Sequence, residues 1–208
     1  MDKKIEALIA NWQKRNILGE YCANKEESVE RVLEAIPADG RVGFSGSVTL
    51  DQLGIIRRLE ERGNKVFNPY KNGISREESL TLRRQGAQAQ FYLASANAIS
   101  EKGELVFLSA YGNRASGISY AQHVIIVAGI NKITVNLSEA IKRAREYVAP
   151  LNCKRLNFHT PCFADGVCRQ DVCLFPEYNR MCCQTLIIEA EIAPGRLEVI
   201  LVGENLGF

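Results

Sequence analysis

Five cysteines fall between Cys162 and Cys183, in the run Pro161-Cys-Phe-Ala-Asp-Gly-Val-Cys-Arg-Gln-Asp-Val-Cys173 and the later Arg180-Met-Cys-Cys183. Intervals of five, four and eight residues separate Cys162, Cys168, Cys173 and Cys182. Four thiolates on an irregular loop can close a tetrahedral zinc site or hold an iron-sulfur cluster, and either would order a segment that lacks helical or strand periodicity. Cys183 is a spare thiol able to replace Cys182. The alternatives are a reactive or disulfide-forming pair, with the thiolate favoured by Arg169, Arg180 or His159, and simple packing of a cysteine-rich loop.

A second set of residues suits an anion. In Gly43-Phe-Ser-Gly-Ser-Val-Thr49, small residues join an apolar strand to a helix start, so backbone N–H groups and the hydroxyls of Ser45, Ser47 and Thr49, with Gly46 between, can approach a phosphate or carboxylate. Neither the Walker nor the dinucleotide glycine pattern is present. Glu101, Glu104, Asn113 and Arg114 lie on two loops around one strand pair and are expected to face a shared cleft. Asn131 and Lys132 follow the most apolar strand, where ligands of α/β sheets gather. Lys132 would hold the anion, and Glu101 or Glu104 would act as proton carrier or nucleophile.

These loops need strands and helices to position them. Ile5, Leu8, Ile9 and Trp12, then Val29, Val32, Leu33 and Ile36, recur at helical spacing and predict two N-terminal amphipathic helices within residues 1–36. Strands are expected at 41–44, 65–67, 90–94, 105–108, 124–128, 183–188 and 197–202, the last two closing around a turn at Pro194-Gly195. Helices are expected after Thr49, from Ser75 to Arg84, and from Leu137 to Tyr147, the last ending before Pro150. Strands alternating with helices predict a largely parallel sheet in a layered α/β domain.

The chain has 208 residues, 46% hydrophobic and 24% charged, with 26 Lys plus Arg against 24 Asp plus Glu. That balance excludes a nucleic-acid binder relying on broad phosphate neutralisation. No apolar run approaches the ~20 residues of a membrane span and no signal core opens the chain, so a cytoplasmic protein is expected. Cysteines clustered in a reducing compartment point to metal, redox chemistry or catalysis more than to structural disulfides. A monomer or two-fold homodimer is the base expectation.

Asn97-Ala-Ile with Glu101 and Gly103, Gly112-Asn-Arg114, Val127-Ala-Gly-Ile-Asn-Lys-Ile133, Ala149-Pro-Leu-Asn152 with Arg155, Thr160-Pro-Cys162 with Gly166 and Cys168, and Val202-Gly-Glu-Asn-Leu-Gly207 together resemble the LUD-domain, lactate-utilization (LutC/YkgG-like) proteins. The resemblance spans residues 4–208 and implies a single LUD-like domain over 1–208, with the cysteine-rich loop at 159–183. It implies a Rossmann-like open sheet of the ribose-5-phosphate isomerase, glucosamine-6-phosphate deaminase and CoA transferase type, with a small anionic metabolite over the strand-end loops. Four residues separate Cys168 and Cys173, where the family more often has Cys-x-x-Cys. Two further readings stand beside an enzyme: an accessory or redox-sensing subunit docking on an oxidoreductase through apolar surface at Leu174-Phe175, and a catalytic domain with a purely structural zinc.

Overall fold

A computed structural model of the chain describes residues 2–168, 173 and 180–208. Its main sheet has six strands, all parallel: β1 (Leu18–Cys22), β2 (Arg41–Phe44), β3 (Lys65–Phe67), β4 (Phe91–Ala94), β7 (His123–Gly129) and β10 (Leu197–Val202), in the order β1-β10-β7-β4-β2-β3. A second, mixed sheet has the order β8-β5-β6-β9, built from β5 (Ala98–Ser100), β6 (Leu105–Ser109), β8 (Ile133–Thr134) and β9 (Gln184–Ile188). β7 after His123, and β10 apart from Glu198, are apolar because they lie inside the parallel sheet and are covered on both faces.

The helices pack in layers. α1 (Lys3–Lys14) lies with Trp12 and Leu8 in the apolar cluster on one face, together with Tyr92, Phe107 and Leu201. On the other face α2 (Lys25–Ala35), α3 (Val48–Leu53) and α4 (Ile55–Glu61) bury Val32, Leu50, Ile55 and Leu59 against Val42, Leu93 and Val127. α5 (Arg76–Ala87) starts at Ser75, whose hydroxyl accepts from Glu78 N at 3.1 Å, and packs beside α6 (Asn113–Tyr120). α7 (Leu137–Lys142) runs through a π-helical stretch, Arg143–Val148, into α8 (Ala149–Arg155), and α9 (Pro161–Asp165) follows.

Three expectations are corrected. Between the N-terminal helices lies a strand, β1, whose half-buried edge position gives it no apolar alternation to read. β9 and β10 do not close on one another. β9 pairs antiparallel with β6, whereas β10 sits between β1 and β7. Pro150 does not stop its helix, because the wider π turns before it relieve the i−4 carbonyl that a proline ring would strike.

Two glycines set the position of strand ends. A Cβ on Gly43 would lie 1.9 Å from Gly86 O, so α5 can approach β2 only because that carbon is missing. A Cβ on Gly129 would fall 2.5 Å from Glu204 O, which lets the C-terminal segment cross the end of β7.

Candidate active site

Most of the strand-end loops anticipated for an anion converge. The carboxyl ends of β2 and β4, the start of α6 and the face of α8 enclose a cavity of about 580 Å³, lined among others by Ser45, Gly46, Ser47, Asn97, Asn113, Arg114, Asn152 and Arg155. It continues into a recess lined by Thr49, Ser95 and Lys132, with Arg114 and Arg155 common to both. A ligand here would occupy the crevice outside the strand C-termini.

Lys132 ends a short 3-10 turn after β7 and is 4% exposed. Its Nζ donates to Ser95 Oγ at 2.7 Å and to Thr49 Oγ1 at 2.8 Å. Burial, then the neighbouring Arg143 and Arg114 charges, lower its pKa to about 7. An amine so placed exchanges a proton near neutrality.

Arg114 is a fixed charge. Nε donates to Ser45 Oγ at 3.1 Å, Nη1 to Leu108 O at 3.0 Å and Asn97 Oδ1 at 3.3 Å, and Nη2 to Gly46 O at 2.6 Å. Its guanidinium ties the 43–49 loop to β6, and its charge remains at the cavity floor. Arg155 is exposed, bonded through Nε and Nη2 to Asn152 Oδ1 at 3.2 and 2.9 Å, and can turn toward a ligand. Asp51, also lining the cavity, has its carboxyl pKa raised by burial against the opposing pull of Arg155.

The loop donors themselves are largely engaged. Gly46 N donates to the Tyr70 hydroxyl at 2.7 Å, and Ser47 Oγ caps α3 by accepting from Leu50 N at 3.3 Å. Positive potential in the cleft therefore comes from side chains more than from free backbone N–H groups.

The sequence matches the LUD domain family over residues 5–202. The chain belongs to the LUD domain family. No curated protein matches it. Among solved structures, this LUD domain is similar to a DUF162 family protein from Deinococcus radiodurans, with a TM-score of 0.52 at 11% identity over 96% of this chain and 94% of that one. Ribose 5-phosphate isomerase from Plasmodium falciparum gives 0.35 at 17% identity, covering 54% and 52%. The tetrameric eIF2B-beta2-delta2 complex from C. thermophilum gives 0.31 at 17%, covering 67% and 47%. At such identities the likeness bears on fold alone; the parallel sheet with apolar clusters on both faces is itself a Rossmann-like α/β arrangement.

Other anticipated residues of the LUD domain fall outside the cleft. Glu101 and Glu104 sit in the β5–β6 turn against α1, at the far end of β6 from Asn113 and Arg114; five residues of strand span roughly 17 Å at about 3.4 Å each. Glu104 accepts from Arg15 Nη2 at 2.6 Å and from Ser100 Oγ, and Glu101 pairs with Lys4 at 3.4 Å. Burial pushes the Glu104 carboxyl up, but the Ser100 hydroxyl, its own backbone N–H and Arg15 outweigh it and leave the pKa below the ordinary value. The shared cleft expected for these two loops is thus corrected. Asn131 Oδ1 accepts from Leu206 N at 3.0 Å and fastens the C-terminal segment.

The cysteines draw together without closing a site. Burial, then Cys182, Cys168 and Cys162, raise the Cys173 thiol. Cys153, outside the expected cluster, joins it: burial and, among other neighbours, Cys162 and Cys182 push its thiol to about 12, although Thr160 opposes the shift. Among the described residues no three His, Cys, Asp or Glu side chains are arranged to hold a metal ion, so the thiols as placed do not fit one. The His159 ring packs tilted against Phe163, with centroids 4.8 Å apart. Arg169, Leu174 and Phe175 lie outside the described residues.

Sequence reasoning missed Ser95, Asp51, Tyr70 and Arg83, and it singled out Arg155 with Asn152 only within the LUD resemblance, not as site residues. Ser95 follows β4 at its carboxyl end, the same positional signal that singled out Lys132. Asp51, Tyr70 and Arg83 come from separate helices and loops and carry no shared motif.

Proposed function

We propose that this LUD domain binds a small anionic metabolite in the cleft and moves a proton on it through Lys132. The observation that supports this is a buried lysine bonded to two hydroxyls, with a pKa of about 7, beside the charges of Arg114 and Arg155. Arg155 and Arg114 attract the anion. Neutral Lys132 accepts a proton from the ligand and returns it as the ammonium. The reading includes Ser45, Ser47, Thr49 and Asn113 as ligand neighbours, and a hydroxy or oxo acid of lactate-utilization type as one candidate. It also includes kinship with the isomerase, deaminase and CoA transferase fold type, and a cytoplasmic setting. Among the described residues no helix is long and apolar enough to cross a membrane. Calorimetry with L-lactate, acetate and inorganic phosphate tests it: saturable binding that weakens at least ~10-fold in Arg155→Ala supports the reading, and no binding of any of them removes it.

A second reading gives Cys162, Cys168, Cys173 and Cys182 an iron-sulfur cluster or zinc after rearrangement, in an enzyme, an accessory redox subunit or a homodimer. It is supported by the nearness of Cys182, Cys168 and Cys162 to Cys173, whose thiol they help burial to raise. Metal and acid-labile sulfide analysis of protein purified without oxygen, beside Cys162→Ser, decides it. Iron with sulfide supports a cluster, zinc alone a structural staple, and neither removes both.

A further inference from the structure

The cavity is larger than a three-carbon acid requires, and its lining combines cations with aromatic rings. A volume of about 580 Å³ lies within the ~300–1,000 Å³ of sites that enclose ligands of drug size. Arg114, Arg155 and Asn152 line the cavity, and so do Phe44, Tyr70, Tyr111 and Arg83. Tyr70 is held in place: its ring packs 5.5 Å from Phe44, tilted by 54°, and its hydroxyl accepts from Gly46 N at 2.7 Å and from Arg83 Nη1 at 3.0 Å. The Arg83 guanidinium lies 4.7 Å from the Tyr70 ring centre and 5.6 Å from that of Tyr111. Tyr111 is 59% exposed and Tyr70 44%. Two large aromatic side chains with a guanidinium between them, left open to solvent on a cavity wall, form a surface for stacking.

We infer that the ligand is an anion carrying a planar aryl or heteroaryl ring, with its phosphate or carboxylate at Arg155 and Arg114 and its ring against Tyr111 and the Tyr70–Arg83 pair. This rests on the anion-binding reading above and narrows its substrate class. A ring is favoured over an aliphatic tail because π faces and a guanidinium plane reward flat contact, whereas a puckered group of equal area gains only desolvation. Tyr111 serves as a recognition residue, separate from the Lys132 recess.

Calorimetry on the whole chain with inorganic phosphate, cyclohexyl phosphate and phenyl phosphate, and in parallel acetate, cyclohexylacetate and phenylacetate, tests the inference. In at least one series the phenyl compound should bind about tenfold more tightly than the cyclohexyl one, which corresponds to about 1.4 kcal/mol. Tyr111→Ala should erase that preference and Tyr111→Phe should keep it. Because Tyr111 is exposed, neither change threatens the core, and circular dichroism confirms the fold. Equal binding of phenyl and cyclohexyl compounds, or a preference that survives Tyr111→Ala, overturns the aryl assignment and leaves anion binding standing. Failure of every compound, including phosphate and acetate, overturns both.

Discussion

Lys132 Nζ reaches Ser95 Oγ at 2.7 Å across the end of the parallel sheet, joining the loop after β7 to the residue that follows β4. The lysine is thereby locked in a position where its charged form is poorly solvated, and its pKa falls to about 7. The ordinary unfolded value is about 10.4. Between these values the unfolded chain binds a proton that the folded chain lacks, so stability rises with pH across that window. The cost of burying the charge is fully present below about pH 7 and gone above about 10.4.

The variant Lys132→Met should therefore be more stable than the parent at about pH 6, by roughly 1–3 kcal/mol after allowing for two lost hydrogen bonds. The gain should shrink as pH approaches about 10. Urea denaturation at several pH values reads it, and a pH-independent difference would mean that Lys132 keeps an ordinary pKa in the folded protein.

Arg114 holds together the loop that lines the cleft. Its donors satisfy Ser45 Oγ, Asn97 Oδ1, Leu108 O and Gly46 O, four acceptors on three segments. Arg114→Ala should cost at least about 3 kcal/mol by leaving buried acceptors without a partner. Arg114→Lys should recover only part of this, because an ammonium cannot span the same fork of acceptors. Chemical denaturation of the two variants checks the order, and equal stability of Lys and Arg would contradict the fork.

Glu104 offers the opposite case, a carboxylate that belongs to the scaffold. It ties the β5–β6 turn to α1 through Arg15 and Ser100, away from the cleft. Its folded pKa is lowered, so its contribution is present above the unfolded value of about 4.3 and lost as pH falls through the folded one. Glu104→Gln should lose roughly 1–3 kcal/mol at neutral pH, converge with the parent in acid, and leave anion affinity unchanged. A loss of affinity with stability intact would return Glu104 to the ligand site.

These contrasts show what was legible in the sequence. A strand that is apolar at every position, such as Val124–Ala128, must be buried on both faces, and the residues just past it must lie at the sheet's edge. That logic put Lys132 at the sheet's edge, and the small residues of its loop put Ser45–Thr49 beside a helix start. Glu101 and Glu104 were misplaced because spacing does not tell which end of β6 faces the ligand. The second sheet was hidden because β5 and β8 are only three and two residues long, too short for periodicity. Arg155 and Asn152 reach the cleft through a π-helical stretch that turns the helix face, and no residue pattern announces such a change of pitch.

Two glycines on the same loop should respond differently to a methyl group. At Gly43 an added Cβ would meet the backbone of Gly86, with the carbonyl oxygen at 1.9 Å, and neither strand nor helix can withdraw without disturbing the sheet. At Gly46 the nearest atom is the Tyr70 hydroxyl at 2.9 Å, the end of a side chain that can swing. Gly43→Ala should cost more than about 3 kcal/mol or abolish soluble expression, as overpacking against backbone does. Gly46→Ala should cost about 1 kcal/mol, roughly one net hydrogen bond to Tyr70, while weakening binding of an aryl anion by loosening the Tyr70 wall. Thermal denaturation of both variants, with phenyl phosphate titrated into Gly46→Ala, separates the two effects. Equal destabilisation would mean that the α5 and β2 backbones are free to move apart.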